Sequence, residues 1–207
     1  MKERKEIRHM VGLVLLAVLV TLLWASGGRG QVPVSSTENT KENARNAAGF
    51  KKFLDQVQVY LELRKSIQSS LPRLKPTPNP ETITSHQQAL AQKIREARPH
   101  AKHGDIFSTE GEEAFRRVVH EEFHGPHGHH ARTTIEQGSP LKSIHLHVND
   151  SYPDGVPFTT VPPTLLLKFP KLPDQIAYRI VVRDLILLDA EANVVIDKIS
   201  DIFPETM

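Results

Sequence analysis

Residues 178–199 read YRIVVRDLILLDAEANVVIDKI, and this run decides the fold. It holds three apolar stretches, Tyr178–Val182, Leu185–Leu188 and Val194–Ile199, separated by Arg183-Asp184 and by Ala190–Asn193. Short runs of leucine and β-branched residues broken by polar turn residues predict strands. Connections this short join only antiparallel neighbours. A small antiparallel β-meander is therefore expected at the C-terminal end.

Upstream, Ile144, Leu146 and Val148 alternate with Ser143, His145 and His147. A period of two predicts one more half-buried strand. The segment Pro162-Pro163-Thr164-Leu165-Leu166-Leu167 is apolar but framed by prolines, and its pattern assigns it to neither class. Before residue 125 the period changes. Phe50, Phe53, Leu54, Val57, Tyr60 and Leu61 recur at helical spacing and predict a helix to Ser69, ended by the proline-rich segment Pro72–Pro80. A second helix is expected over Pro80–Arg98, with Asn79 as cap and Pro80 in the first turn. A third is expected from Thr109 to Phe123, where Thr109 and Glu112 have capping-box spacing and Gly125-Pro126 gives the stop. Residues 125–140 read as loop, and residues 31–48, polar and weakly patterned, as a flexible spacer. About three amphipathic helices followed by strands imply one small α+β domain over residues 49–207.

Residues 1–30 carry a different message. Lys2, Arg4, Lys5 and Arg8 precede an apolar run from Met10 to Ala25, and small residues follow from Ala25 to Gly30. These are the three parts of an export signal, and the whole is expected to be an N-terminal export helix. The run of 16 residues is short of the roughly 20 of a full span, which favours a cleaved signal peptide over a signal anchor. The expected destination is the periplasm or the cell exterior, or the inner-membrane surface if the segment is retained. Membrane contact is expected only through that segment.

The net charge of +2 belongs to this leader, which holds five Lys/Arg against two Asp/Glu and leaves 21 basic and 22 acidic side chains in the rest. A neutral domain lacks the basic footprint of a nucleic-acid binder, so no nucleic-acid partner is expected. Cysteine is absent, which excludes disulfides, thiol catalysis and cysteine-based zinc sites.

Several stretches are similar to a group of uncharacterised exported bacterial proteins. They are Leu90-Ala91 with Ile94-Arg95 and Ala97-Arg98, Gly104-Asp105-Ile106-Phe107, Val148-Asn149 with Tyr152-Pro153, Val161 to Leu167, and the tail from Tyr178-Arg179 to Asp197. The resemblance spans most of residues 50–200. It implies a shared fold and export, and it brings no activity and no catalytic residues. The histidine cluster lies outside its pattern.

That cluster is the chain's most chemical feature. Five of the 11 histidines, His120, His124, His127, His129 and His130, fall in an expected His-rich loop at 120–130. Neutral imidazoles suit Zn²⁺, Ni²⁺ or Cu²⁺, so these five are the candidate metal ligands, with no other cofactor expected. His145 and His147 share one side of the expected strand and could add to them. His120-Glu121-Glu122-Phe123-His124 also fits the H-E-x-x-H pattern, in which two histidines hold zinc and the glutamate activates a water. Geometry opposes that reading. At about 100° per residue, His120 and His124 point roughly 145° away from the side centred by Phe115, Val118, Val119 and Phe123, toward solvent. Asp150 and Asp154 flank Ser151-Tyr152-Pro153 and read as a turn rather than a carboxylate site.

Three functions follow, in order. The first is a non-enzymatic exported cell-envelope domain that binds or scaffolds. The second is a His-rich envelope metal-binding protein. The third is a zinc hydrolase through His120, Glu121 and His124. No serine or histidine setting marks a nucleophile, so an enzyme is the weaker expectation. The export reading has a direct test. Residues 1–45 fused to a reporter should carry it out of the cytoplasm, and retention of the fusion inside would defeat the reading.

Overall fold

The computed structural model describes residues 34–126, 128–138, 144–156 and 159–204, and the export segment expected over 1–30 lies outside them. The described residues from Ser35 onward belong to one compact unit. In chain order they form α1 (Val34–Ser70), α2 (Pro80–Ala97), α3 (Thr109–His124), α4 (Gly128–Gly138), the short α5 (Pro163–Leu166), β1 (Ile176–Val181), β2 (Asp184–Asp189) and β3 (Val194–Ile199). Helices with one three-stranded antiparallel sheet make the α+β class. No described helix is long and apolar enough to cross a membrane.

The strands pair as the meander predicts, in the order β1-β2-β3. The unbroken apolar run Leu185–Leu188 is explained by burial on both faces. Leu185 and Leu187 join the main core with the helices, whereas Ile186 and Leu188 pack under Leu146 and Tyr152 in a second cluster. The β2–β3 register shifts between Leu187 and Leu188, where Asp197 and Val195 are the successive partners and Ile196 is the extra residue. This bulge changes the phase of β3. Val194 and Ile196 face the main core before it, and after it Ile199 does, opposite Leu185. Asp197, paired with Leu187, is therefore turned to the helical side.

Residues 144–148 form no strand. The alternation survives, with Leu146 buried and His145 and His147 exposed, but ladder bonds begin only beyond it. The Asn149 N–H donates to the Val195 carbonyl at 2.8 Å, and the Val195 N–H to the Asp150 carbonyl at 2.9 Å. Isolated bridges at Ser151–Val194 and Thr159–Ile180 thus cover part of both sheet edges.

Phe53, Val57, Tyr60, Arg64 and Ile67 turn α1 onto the core. An aromatic group gathers beside the sheet. The Phe115 ring centroid lies 5.0 Å from that of Phe53, 5.1 Å from Phe107 and 4.8 Å from Phe169.

Three further expectations change. The spacer expected over 31–48 is helical from Val34 onward. Its inward position Asn46, and Gly49 just beyond it, carry no apolar signal yet are buried. The Asn46 Oδ1 accepts from the Arg117 Nε at 2.7 Å, tying the start of α1 to α3. The loop expected over 125–140 contains α4, whose Ala131 and Ile135 are buried. Two apolar residues one turn apart are too short a stripe to read among glycines and histidines. The cap of α3 is Ser108, one residue before Thr109. Its Oγ accepts from the Gly111 N–H at 3.2 Å, and its carbonyl from the Glu112 N–H at 2.9 Å. Glu112 bonds Arg116 instead of closing a box.

Gly49 lies where α1 passes close to α3. A methyl group there would stand 2.9 Å from the Ala114 Cβ and press on the Glu110 backbone. Gly49→Ala should therefore destabilise by about 1–3 kcal/mol despite alanine's better helix propensity. Urea melts against Ala48→Ser, an exposed neighbour, would check this.

Candidate functional site

The chemistry-bearing side chains divide into those that hold the fold and those that line a cleft. The first group was not legible beforehand. Asp197 is fully buried and accepts from the backbone N–H groups of Gly104 at 2.9 Å, Ile106 at 2.7 Å and Phe107 at 2.8 Å. Burial lifts its carboxyl above the ordinary range, against the pull of these amides and that of Lys198. The bulge explains why an acid in an apolar strand reaches this loop, and the carbonyl of its residue Ile196 accepts from the Arg98 guanidinium at 3.2 Å.

Asp189, also fully buried, ends β2. Its Oδ2 accepts from the Tyr60 hydroxyl and from the Arg64 Nε, both at 2.7 Å, and its Oδ1 from the Ala192 N–H at 2.9 Å. Arg64 also pairs with Glu191. Burial works against the Arg64 charge, but Asp189 and Glu191 overcome it and hold the guanidinium above its usual value. Burial first, then Asp189, pushes the Tyr60 phenol up.

Glu122 is charged yet turned inward. Its carboxylate is buried and takes a bond from Lys168 Nζ at 2.7 Å. It stands seven residues after Phe115 and four after Val118, so it continues the inward stripe. Lys168 keeps its ammonium partly in water.

The second group surrounds a cleft of about 560 Å³ between α3, α4 and residues 201–204. Val119, Phe123, Ile202, Phe203 and Pro204 supply its apolar lining. Arginines wall it, and each is held in place by a main-chain or amide oxygen. Arg132 Nη2 donates to the Phe123 carbonyl at 3.1 Å, Arg183 Nε to the Phe203 carbonyl at 3.0 Å, and Arg116 Nη2 to the Ser200 carbonyl at 2.7 Å. Arg117 is held by Asn46.

His120, Glu121 and His124 form the cleft's exposed rim. The two imidazoles stack, with centroids 4.0 Å apart and planes 24° from parallel. His129 and His130 are exposed on α4, with centroids 5.9 Å apart and planes inclined at 55°. His127 lies outside the described residues. His147 stands 3.4 Å from Asp150 in the exposed turn. Among the described residues, no three His, Asp or Glu side chains converge as a ligand set. Of the five candidate ligands, the structure brings His120 and His124 face to face.

No protein-family model, curated protein or solved structure matches the chain.

Asp197 offers a clean test of which carboxylates hold the fold. In Asp197→Asn one oxygen becomes an NH₂ that faces backbone donors, leaving buried N–H groups unsatisfied. The expected loss is about 2–4 kcal/mol in a urea melt, whereas Asp174→Asn, on the exposed surface, should stay within about 0.5 kcal/mol.

Proposed function

We propose that this protein is a non-enzymatic exported domain of the cell envelope, and that it binds its partner in the cleft between α3, α4 and residues 201–204. One observation carries the reading. The cleft's arginines are fixed around an apolar floor by carbonyl and amide oxygens, and three of them also by the carboxylates of Glu112, Glu113 and Asp201, which makes a preorganised surface with paired charges at its wall. Apolar concavity with a few oriented polar groups is the general form of a binding site.

The acid–base side supports the same reading. The buried carboxylates Asp189, Asp197 and Glu122 bond to segments they hold together. Glu121, the glutamate that a zinc hydrolase would use, stands exposed at the rim. The export segment supplies the location, as its basic start, apolar run and small-residue exit imply.

A photo-crosslinking side chain in place of Glu121, in the full-length protein and in the cells that make it, should give one discrete adduct. The same side chain in place of Glu62, on the exposed side of α1, should give none. Equal labelling from both positions would remove the cleft from consideration. Hydrolytic turnover by the purified protein that disappears in Glu121→Gln would defeat the non-enzymatic reading and favour the zinc hydrolase.

A further inference from the structure

The cleft does not use the two imidazoles at its rim as it uses its arginines. His120 and His124 occupy positions i and i+4 of α3, so they stand one above the other on one face. Their rings lie 4.0 Å apart. A metal ion bound by two imidazoles sits about 2.0–2.1 Å from each nitrogen and in the plane of each ring, so the stacked rings would have to turn out of parallel about χ1 and χ2 to share one ion, which their exposed positions allow.

The tautomer is already set on one of them. The Nδ1 of His124 lies 2.8 Å from the His120 carbonyl oxygen. A carbonyl only accepts, so in the neutral ring Nδ1 carries the proton and the lone pair is on Nε2. Metal-binding histidines are commonly oriented in this way, with the second ring nitrogen donating to a carbonyl or carboxylate. The pair also sits on the last two turns of α3, where the helix dipole presents its negative end to a cation.

The neighbouring charges oppose a cation only in part. Arg116 precedes His120 by one turn, but its guanidinium is paired with Glu112 and drawn onto the Ser200 carbonyl. Arg117 is held by Asn46 and lies 3.6 Å from Glu113. Both guanidiniums have other partners, Arg183 of the same cleft lies 3.5 Å from Asp201, Arg132 is drawn onto the Phe123 carbonyl, and Glu121 adds a carboxylate between the two histidines in sequence.

We infer that His120 and His124 chelate one divalent transition-metal ion, Cu²⁺, Ni²⁺ or Zn²⁺, at the rim of the cleft. Imidazole nitrogen suits all three ions, with Cu²⁺ held tightest. Two protein ligands leave the remaining positions to water or to a group entering the cleft, so the ion exchanges and is not structural. His129 and His130 take no part, because adjacent residues on a helix diverge by about 100°. The site stands on this pair alone and does not require the binding role proposed above.

Calorimetric titration of the untagged full-length protein with each chloride salt tests it. One equivalent should bind, with Cu²⁺ tightest. His120→Ala and His124→Ala should each weaken binding by about tenfold or more, because losing either ring abolishes chelation. Both positions are exposed, so the variants should fold normally, and circular dichroism would verify this. A variant lacking His127, His129 and His130 together should bind as the wild type does. The Cu²⁺ electron paramagnetic resonance spectrum should show coupling to two imidazole nitrogens. Binding that survives in the His120→Ala, His124→Ala double variant, binding that requires the 127–130 histidines, or no binding by the wild type would overturn the inference.

Discussion

The start of α3, and with it the direction of the helix that carries His120 and His124, depends on the Asp197 carboxylate. It collects the amides of Gly104, Ile106 and Phe107, in the link between α2 and α3. Phe107 is thereby committed to the aromatic group, its ring 5.2 Å from that of Phe53, and Ser108 immediately starts α3. The helix that carries His120 and His124 is thus aimed from its first residue by an acid in a strand about ninety residues later. The bulge at Ile196 makes this possible, since strict alternation would have put Asp197 on the same face as Val195.

Two ion pairs, one buried on both sides and one with its lysine partly in water, act in the same way at other junctions. Arg64 and Asp189 join α1 to the end of β2, and Glu122 and Lys168 join α3 to the residues after α5. Burying an ion pair is a weak source of net stability, yet removing one partner typically costs about 3–5 kcal/mol. Such pairs favour one arrangement of elements over its near alternatives. Here α1 and α3 otherwise meet the core mainly through phenylalanines and valines, with Tyr60 and Ile67, and such apolar contacts would tolerate several registers. The charged pairs and the close contact at Gly49 fix one.

The parts of the fold that could be read from sequence are those whose burial is apolar and periodic. Leu185–Leu188 between two polar turns reads as a strand without any tertiary knowledge, and Asn79-Pro80 reads as a helix start, with the Glu81 N–H on the Asn79 Oδ1 at 2.9 Å. What escaped was buried without being apolar. Asn46 and Gly49 carry α1 back to Val34, and neither residue contributes to a hydrophobic stripe. Glu122 sits on the inward side of α3 and looks like a surface residue until Lys168 is seen. Asp197 required the bulge, which no local pattern signals. At the candidate site the outward direction of His120 and His124 was legible from helical geometry. Their stacking and the cleft beside them were not, because the cleft's other walls are α4 and residues 201–204, neither of which has a readable stripe.

Those two walls change what an outward-facing helix surface means. On an isolated α3 the face bearing His120 and His124 would be open to water on both sides. In the folded chain α4 packs back on α3, with the Arg132 guanidinium 5.7 Å over the Phe123 ring, and residues 200–203 are drawn in by Arg116 and Arg183. The histidines then border a concavity whose floor includes Phe123 and Phe203. A group bound on that floor would meet the imidazoles within the same cleft. A metal ion held there with open positions would be completed by a carboxylate or imidazole of whatever the cleft binds, and ion and partner would then raise each other's affinity without any change in shape.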